Sequence, residues 1–206
     1  MGGSAMRVDR VILRAFLSTF TAIVALFAFM LVALIGLYPS TMMEITYDLG
    51  MDASSIRYAE RAYDWSDDEY FIAYAMEVAI GMGDTEKIAS CGEKLIADAD
   101  FADYCAQENE RLPEGVELTY EQYVYGQVCV AKYENGNKTE AVERAFALLN
   151  GFPQNNAVVA VLYTALGDRD AETINLIRGK MEQLQVETLS EEEQAYFQAV
   201  FALTNG

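Results

Sequence analysis

Histidine is absent from the 206 residues, and basic residues, proline and cysteine are scarce. Without histidine, the chain lacks the usual general base, the Ser-His and Cys-His nucleophile pairs and the common nitrogen ligand of metal sites. Lys and Arg total 14 against 32 Asp and Glu, so the net charge is -18 and the surface repels nucleic-acid phosphates. With 52% hydrophobic residues and 3 prolines, the chain is too apolar for a disordered protein or a linker.

The 3 cysteines, Cys91, Cys105 and Cys129, form no Cys-x-x-Cys pair, which excludes a zinc ribbon and thioredoxin-type redox chemistry. Each lies among apolar neighbours in the sequence, and this favours small buried helix residues. The alternative is a disulfide between Cys91 and Cys105, with Cys129 free, if the domain lies outside a cytoplasm.

Residues 15–37 contain no charged residue and are rich in Leu, Ile, Val, Ala and Phe. A helix of this length spans about 34 Å, which exceeds the ~30 Å hydrocarbon core of a bilayer. Tyr38 and Pro39 follow as an interfacial aromatic and a residue that cannot extend the helix. The run is longer than the apolar region of a signal peptide and too uniformly apolar for a core helix, so it predicts an uncleaved transmembrane helix.

Basic residues precede this helix and acidic residues follow it. Arg7, Arg10 and Arg14 lie before it, whereas residues 38–206 hold 11 basic and 31 acidic residues. The positive-inside rule therefore predicts a single-pass protein of the cell membrane with a cytoplasmic N-terminus and an extracytoplasmic C-terminal domain. The predicted divisions are a basic cytoplasmic tail at 1–14, the transmembrane helix at 15–37, a juxtamembrane connector at 38–52 and an acidic helical-repeat domain at 53–206.

The acidic domain shows helical periodicity almost throughout and no clear strand alternation. The predicted helices are 53–63, 67–82, 85–98, 100–110, 120–135, 138–150, 155–166, 169–184 and 191–204. Capping boxes are expected to begin three of these helices, at Ser66, Thr119 and Ser190. Three glycine-polar pairs are expected to end one helix and cap the next, at Gly83-Asp84, Gly136-Asn137 and Gly167-Asp168.

The segment 125–156 combines two helical stretches with a turn, a small residue and a closing proline. The positions that carry this pattern are Tyr125, Val128, Gly136-Asn137, Ala141, Leu148 and Pro153-Gln154-Asn155-Asn156. In this spacing the segment resembles a tetratricopeptide repeat, a helix-turn-helix unit of about 34 residues, and the segments on either side resemble degenerate copies. The resemblance implies an all-α antiparallel helical-hairpin solenoid whose concave face binds peptides or partner proteins, without catalysis.

An acidic cluster suggests a metal site that its spacing does not support. Asp98, Asp100 and Asp103 could begin a calcium loop, but an EF-hand needs Gly at its sixth position and Glu at its twelfth. The chain has Asp103 and Asn109 there, so a solvated acidic face is the preferred interpretation. Nucleophile motifs such as G-x-S-x-G are also absent from the sequence. The sequence therefore predicts no catalytic, cofactor-binding or metal-binding residues.

Tyrosine is abundant, with 13 copies. It is favoured at helix contacts and at protein interfaces because it buries a large ring and keeps one polar end. Packing is the simpler interpretation of these residues, and a ligand groove is the alternative. The candidate groove residues are Tyr70, Tyr74, Tyr120, Tyr123 and Tyr125.

These features together predict a membrane-anchored, non-catalytic scaffold or adaptor that presents a helical-repeat surface to a protein or peptide partner. An acidic rim favours a basic partner. One alternative is a small accessory subunit of a membrane transporter or envelope complex, in which Ser18, Thr19 and Thr21 of the membrane helix contact other helices. A second alternative is a hydrolase that uses two carboxylates in a deep pocket.

Overall fold

The computed structural model describes residues 5–113, 115–116, 118–149 and 156–205, with side chains from residue 12 onward. Within these ranges all regular secondary structure is helical, as the sequence predicts. A short 3-10 helix, Val186–Thr188, precedes the last α-helix. The α-helices are α1 (Ala5–Leu37), α2 (Pro39–Asp48), α3 (Asp52–Ser66), α4 (Glu69–Met82), α5 (Thr85–Ala97), α6 (Phe101–Glu110), α7 (Tyr120–Glu134), α8 (Lys138–Ala147), α9 (Asn156–Gly167), α10 (Ala171–Met181) and α11 (Glu191–Leu203).

Helix α1 is long and apolar enough to cross a membrane. Its segment Ile12–Leu37 has 26 residues and a mean hydropathy of 2.7, and its most apolar part is not buried against the rest of the protein. A signal sequence near an N-terminus meets the same criteria of length and composition. The helix includes residues 5–14, before the predicted span, because these residues hold no proline or glycine that would interrupt it.

The predicted connector contains a helix that the sequence pattern did not indicate. Pro39 ends α1 as predicted, but it is also the first residue of α2. Proline is well tolerated at that position, since its missing N–H group would have no partner within the helix and its fixed φ suits a helix start. Pro39, Met42, Met43 and Thr46 are buried, so α2 belongs to the packed domain.

Helices α2 to α5 each pack on the next helix in the chain, whereas α7 packs most extensively on α5 and α9, which do not adjoin it in the chain. Helix α2 packs on α3, α3 on α4, α4 on α5, and α5 on α7, which in turn contacts α8 and α9. Helix α6 touches α4, α5 and α7 at the point where α5 meets α7. The core runs through all of these contacts and includes Ile72, Met76, Leu95, Val128 and Leu162, none of which is exposed.

Close approach of α5 and α7 depends on a glycine. A Cβ atom at Gly92 would overlap the Cγ2 methyl of Val128 and would lie 3.2 Å from the sulfur of Met76. Gly126 of α7 likewise allows close approach to α9, because an added Cβ would lie 2.9 Å from the side-chain nitrogen of Asn156. Small residues at these two positions therefore set how tightly the central helices pack.

Two of the three predicted capping boxes are present. Thr119 and Ser190 each accept a bond from the backbone of the residue three positions on, and the side chain of that residue accepts from the cap backbone. The box predicted at Ser66 is wrong, because Ser66 is the last residue of α3 and its hydroxyl donates to the carbonyl of Ala62. The helix ends at Asp67 in the left-handed conformation, and Asp68 caps α4 instead.

The glycine-polar turns follow the prediction fully at one of three places and in part at a second. Gly83 takes the left-handed conformation and Asp84 caps α5 by accepting from the backbone N–H of Lys87. Gly136 is also left-handed, at φ 84, but Asn137 precedes α8 without a capping hydrogen bond from its side chain. The third turn lies two residues later than predicted, since α9 continues through Gly167, Arg169 takes the positive φ and Asp170 caps α10.

The tetratricopeptide-like segment is folded as two helices, α7 and α8, that pack on each other. Val128 and Ala141 are not exposed, and Leu148 is buried. The predicted closing turn at 153–155 lies outside the described residues, and α9 begins at Asn156. The hairpin itself therefore agrees with the pattern of the sequence.

A tyrosine-lined acidic groove along α4

One face of α4 forms the floor of a continuous groove. This helix buries Ile72, Ala73, Ala75, Met76 and Ala79 on its core side. The opposite face carries Tyr70, Tyr74, Glu77, Val78 and Gly81 at helical spacing. Three depressions follow one another along this face and share its residues, and we call them together the α4 groove.

The walls of the α4 groove come from α2 and the start of α3 at one end, and from α6 and the start of α7 at the other. The three depressions have volumes of about 360, 310 and 670 Å³. The first, at the start of α4, is lined by Asp68, Glu69, Tyr70, Asp100, Asp103, Tyr104, Gln107, Glu108 and Arg111. The central one is lined by Tyr70, Ala73, Tyr74, Glu77, Tyr104, Glu108, Arg111 and Tyr120. The last is lined by Tyr47, Asp48, Gly50, Asp52, Tyr74, Glu77, Val78 and Gly81.

Tyr74 is fixed at the middle of the groove by a buried serine. The Ser55 hydroxyl donates its single proton to the carbonyl of Met43 at 3.0 Å. The phenol of Tyr74, 3.0 Å from the same oxygen, must therefore donate to Ser55. The ring of Tyr47 packs edge-on against Tyr74 with centroids 5.8 Å apart. These contacts tie the groove floor to α2 and α3.

A row of tyrosines forms the wall on the side of α6 and α7. The rings of Tyr104 and Tyr120 are 5.8 Å apart, and those of Tyr120 and Tyr123 are 5.9 Å apart. The phenol of Tyr123 donates to a carboxylate oxygen of Glu77 at 3.1 Å. The backbone N–H of Tyr120 donates to the side chain of Asn109 at 2.7 Å, which ties α6 to the start of α7.

Burial changes the ionisation of groups in the groove. It raises the pKa of Tyr104, Tyr120 and Tyr123 above the usual value, so all three stay neutral hydrogen-bonding groups at neutral pH. Burial also raises the pKa of Glu77, and the hydrogen bond from Tyr123 offsets part of this rise. The groove therefore keeps neutral phenols close to carboxylates.

The charge of the α4 groove is strongly negative. Eight acidic residues line its three depressions: Asp48, Asp52, Asp68, Glu69, Glu77, Asp100, Asp103 and Glu108. Arg111 is the one basic residue among the described lining residues, and its guanidinium bonds to Glu108 at 2.5 Å. The sum of these charges attracts cationic groups and repels anionic ones.

Three carboxylates gather at the start of the groove. Oxygen atoms of Glu69, Asp98 and Asp100 lie within 4.8 Å of one another. The phenol of Tyr63 donates to Asp98 at 2.5 Å and holds the pKa of that carboxyl below its usual value. Burial raises the pKa of Glu69. The cluster differs from the predicted acidic set, because Glu69 comes from α4 and Asp103 lies outside the trio.

The structure brings together four of the five candidate groove tyrosines. Tyr70, Tyr74 and Tyr120 line the central depression, and Tyr123 borders it through Glu77. Tyr125 lies elsewhere: it is 8% exposed, packs on Phe101 with ring centroids 5.9 Å apart, and donates to Glu121 at 2.7 Å. Its position on α7 turns it toward the core. Of the topology residues, Arg14 is exposed, and the side chains of Arg7 and Arg10 lie outside the described part.

Several groove residues were not singled out from the sequence. Tyr47 lies on α2, the helix that was not predicted, although the Pro39 that begins it was an available indication. Tyr104 was one of many tyrosines without a distinguishing pattern. Glu77 and Glu108 were two of 32 acids, and only the packing of α4 against α6 and α7 brings them together.

The cysteines agree with the structural interpretation rather than with a disulfide. Cys91, Cys105 and Cys129 are all buried free thiols. Burial raises the pKa of Cys91 to about 11 and that of Cys105 and Cys129 to about 12. Such thiols stay protonated at neutral pH and are poor nucleophiles.

Comparison of the chain with protein-family models, with characterised proteins and with solved structures gives no match in any of the three. The likeness to a tetratricopeptide repeat therefore rests on the residues of the segment 125–156 alone.

Proposed function

We propose that the protein is a membrane-anchored, non-catalytic interaction module whose α4 groove binds a basic segment of a partner protein. The observation that supports this proposal is the continuity of the groove, which combines tyrosine rings with eight carboxylates and a single, already paired arginine. Tyrosines provide apolar area at low cost in conformational entropy, and the carboxylates favour Lys and Arg over acidic sequences. A helix or an extended strand of such a partner would lie along α4.

The architecture that we propose is a tetratricopeptide-like solenoid of antiparallel helical hairpins. It is supported by the packing of α2 to α5, each on the next helix in the chain, and by the hairpin of α7 and α8. In this arrangement α4 and α7 would be first helices of successive units, and the groove would lie on the concave face. Helix α6 is an addition to the repeat pattern, and it supplies Tyr104 and Glu108 to the groove wall.

The topology that we propose places Arg7, Arg10 and Arg14 in the cytoplasm, α1 in the cell membrane and the acidic domain outside the cytoplasm. The charge difference across α1 supports this orientation. A reporter enzyme that is active only outside the cytoplasm, fused to the C-terminal end, should then be active. An inactive reporter in a stable fusion would reverse the orientation.

The groove proposal is tested by photocrosslinking in cells that naturally make the protein. A photoreactive residue in place of Tyr70, which is 48% exposed at the centre of the groove, should crosslink a discrete protein. The matched control is Tyr163 of α9, which is 59% exposed but does not line the groove. Mass spectrometry of the crosslinked peptide should show an excess of Lys and Arg.

Charge reversal separates specific binding from contact by chance. Glu77 lines two of the three depressions, so Glu77→Lys should reduce crosslinking from position 70 by about tenfold. Equal crosslinking from positions 70 and 163, or no effect of Glu77→Lys, would contradict the proposal. A third variant would carry the photoreactive residue at position 21 of α1. If only this variant gave a crosslinked protein, the result would favour the membrane-subunit alternative.

That alternative assigns helix contacts to Ser18, Thr19 and Thr21 of α1. The hydroxyls of Thr19 and Thr21 donate to the carbonyls of Ala15 and Leu17 within α1, at 2.9 and 2.8 Å. Their donor groups are therefore satisfied by their own helix and require no partner helix.

A further inference from the structure

Helix α3 carries an exposed stripe beside the end of the apolar helix. Arg57, Arg61 and Trp65 are spaced four residues apart, so they lie on one face of α3, and all three are exposed. Trp65 is the single tryptophan of the chain and is 56% exposed. The opposite face of α3 packs well, with Ile56 and Ala59 buried, whereas this face leaves more than half of the Trp65 surface open to solvent.

One guanidinium joins this stripe to α1. Arg61 donates to the carbonyl of Gly36 at 3.2 Å, in the last turn of α1, where carbonyls lack helical partners. The same guanidinium lies over the ring of Trp65, 5.4 Å from its centroid. Trp65 and the end of the apolar segment therefore contact the same side chain. Residues 33–36 are only partly exposed, so the domain packs directly on this end of the helix.

We propose that the outer stripe of α3, formed by Arg57, Arg61 and Trp65, rests on the bilayer that holds α1. Trp65 lies in the interfacial layer, as does the exposed Tyr38 at the end of the span, because amphipathic rings are enriched at that depth. Arg57 and Arg61 contact lipid phosphates with their guanidinium groups and cover apolar surface with their aliphatic stems. The proposal rests on membrane insertion of α1 and is independent of the groove partner.

The charge around the stripe indicates which lipid it fits. Asp64, Asp67 and Asp68 flank Trp65 in the sequence, and among the described residues only Asp64 has a basic residue within 4.0 Å, Lys94. Residues 38–206 carry a large negative charge, so a strongly anionic membrane surface would repel the domain. A zwitterionic surface offers phosphates to the two arginines without that repulsion. The occupant of the stripe is therefore the phosphate layer of a zwitterionic bilayer.

Because the chain has one tryptophan, fluorescence reports this position alone. The full chain would be reconstituted in phosphatidylcholine vesicles with a quencher either at the headgroup level or at the end of the acyl chain. We expect the headgroup quencher to reduce the emission of Trp65 at least about twofold more than the deep quencher. Emission of Trp65 that neither quencher reduces would overturn the proposal.

Two variants place the single tryptophan elsewhere and serve as controls for the depth of each quencher. In Trp65→Phe/Phe27→Trp the probe lies in the apolar segment, 71% exposed on α1, and the deep quencher should act on it. In Trp65→Phe/Tyr163→Trp the probe lies on α9, and neither quencher should act. Deep quenching at position 27 without any quenching at position 65 would show that α1 is inserted while α3 stands clear of the surface, which overturns the proposal.

A third variant tests the link between the two helices. Arg61→Gln removes the bond to Gly36 and the cation over Trp65. It should lower headgroup quenching of Trp65 at least about twofold, because the stripe loses both its tether and a phosphate ligand. The matched variant Arg178→Gln, on α10, should leave the quenching unchanged. Equal quenching in both variants would overturn the role of Arg61.

Discussion

The tyrosines of the domain fall into two groups that differ in burial and in partners. Tyr125 and Tyr133 of α7 are 8% and 2% exposed, and their phenols donate to carboxylates that border the core. Tyr70 of α4 is 48% exposed and packs edge-on against Phe71. Residues of one type thus close the core at one place and line an open groove at another. The core tyrosines should therefore contribute much more to stability than the groove tyrosine, and the following changes test that difference.

The largest contrast is expected between Tyr125→Ala and Tyr70→Ala. Loss of the buried ring at position 125 leaves a cavity and should lower the free energy of unfolding by about 3–5 kcal/mol. Loss of the exposed ring at position 70 should cost about 0.5–1 kcal/mol, since it removes surface ring contacts with Phe71 and Tyr74 and leaves no buried cavity. Denaturant unfolding of the detergent-solubilised full chain measures both. Similar losses for the two variants would mean that the groove tyrosine is also a core residue.

A glycine pair tests the packing that positions the groove. Gly92→Ala should destabilise the protein by about 1–3 kcal/mol, because the added methyl overlaps Val128 where α5 meets α7. Gly179→Ala is the matched control: no heavy atom lies within 4 Å of an added Cβ there, so better helix propensity should stabilise by about 0.5–1 kcal/mol. Thermal unfolding of both variants gives the sign, and a stabilising Gly92→Ala would contradict the tight crossing.

The carboxylates of the domain should also differ in how much they stabilise the fold, depending on whether they cap a helix or line the groove. Asp170 accepts from Lys138 at 2.7 Å, from Thr173 and from Tyr133, and these bonds, that of Lys138 above all, hold its pKa below the usual value. Its contribution is present above the unfolded-state pKa of about 3.9 and is lost as the pH falls through the lower folded-state pKa.

Asp170→Asn should therefore cost about 1–2 kcal/mol at pH 7, and the difference from the parent chain should shrink below about pH 4. Glu77→Gln is the control, because the pKa of this groove carboxyl is raised rather than lowered. Its cost at pH 7 should stay within about 0.5 kcal/mol. A difference for Asp170→Asn that does not change with pH would show that charge is irrelevant at this cap.

Apart from the controls, the last and mildest change alters a single hydrogen bond beneath the groove. Tyr74→Phe removes the hydrogen bond to Ser55 but keeps the ring, so it should cost about 1 kcal/mol. Ser55 keeps its own bond to the carbonyl of Met43, and no buried donor is left unpaired. The matched change Tyr47→Phe removes only an exposed hydroxyl and should be neutral. Hydrogen exchange of α2 and α3 would show whether Tyr74 stiffens their contact.

Local features of the fold could be predicted because they depend on neighbouring residues. The boxes at Thr119 and Ser190 need only a hydroxyl and an acceptor three residues later, and both are present. At Ser66 the same pattern failed, since nothing in the sequence shows that α3 continues and that Asp67 takes a positive φ. Helix α2 was missed because Pro39 serves both as the end of one helix and as the start of the next.

What the sequence by itself determined is the helical content, the long apolar helix and the negative charge, all of which follow from local periodicity and composition. Only the tertiary structure decided which tyrosines face the core. Tyr123 and Tyr125 lie two residues apart on α7, so they point to different sides of that helix, and the packing of α6 and α4 assigns one side to the groove. Periodicity defines the faces of a helix, whereas burial of each face depends on neighbours distant in the chain.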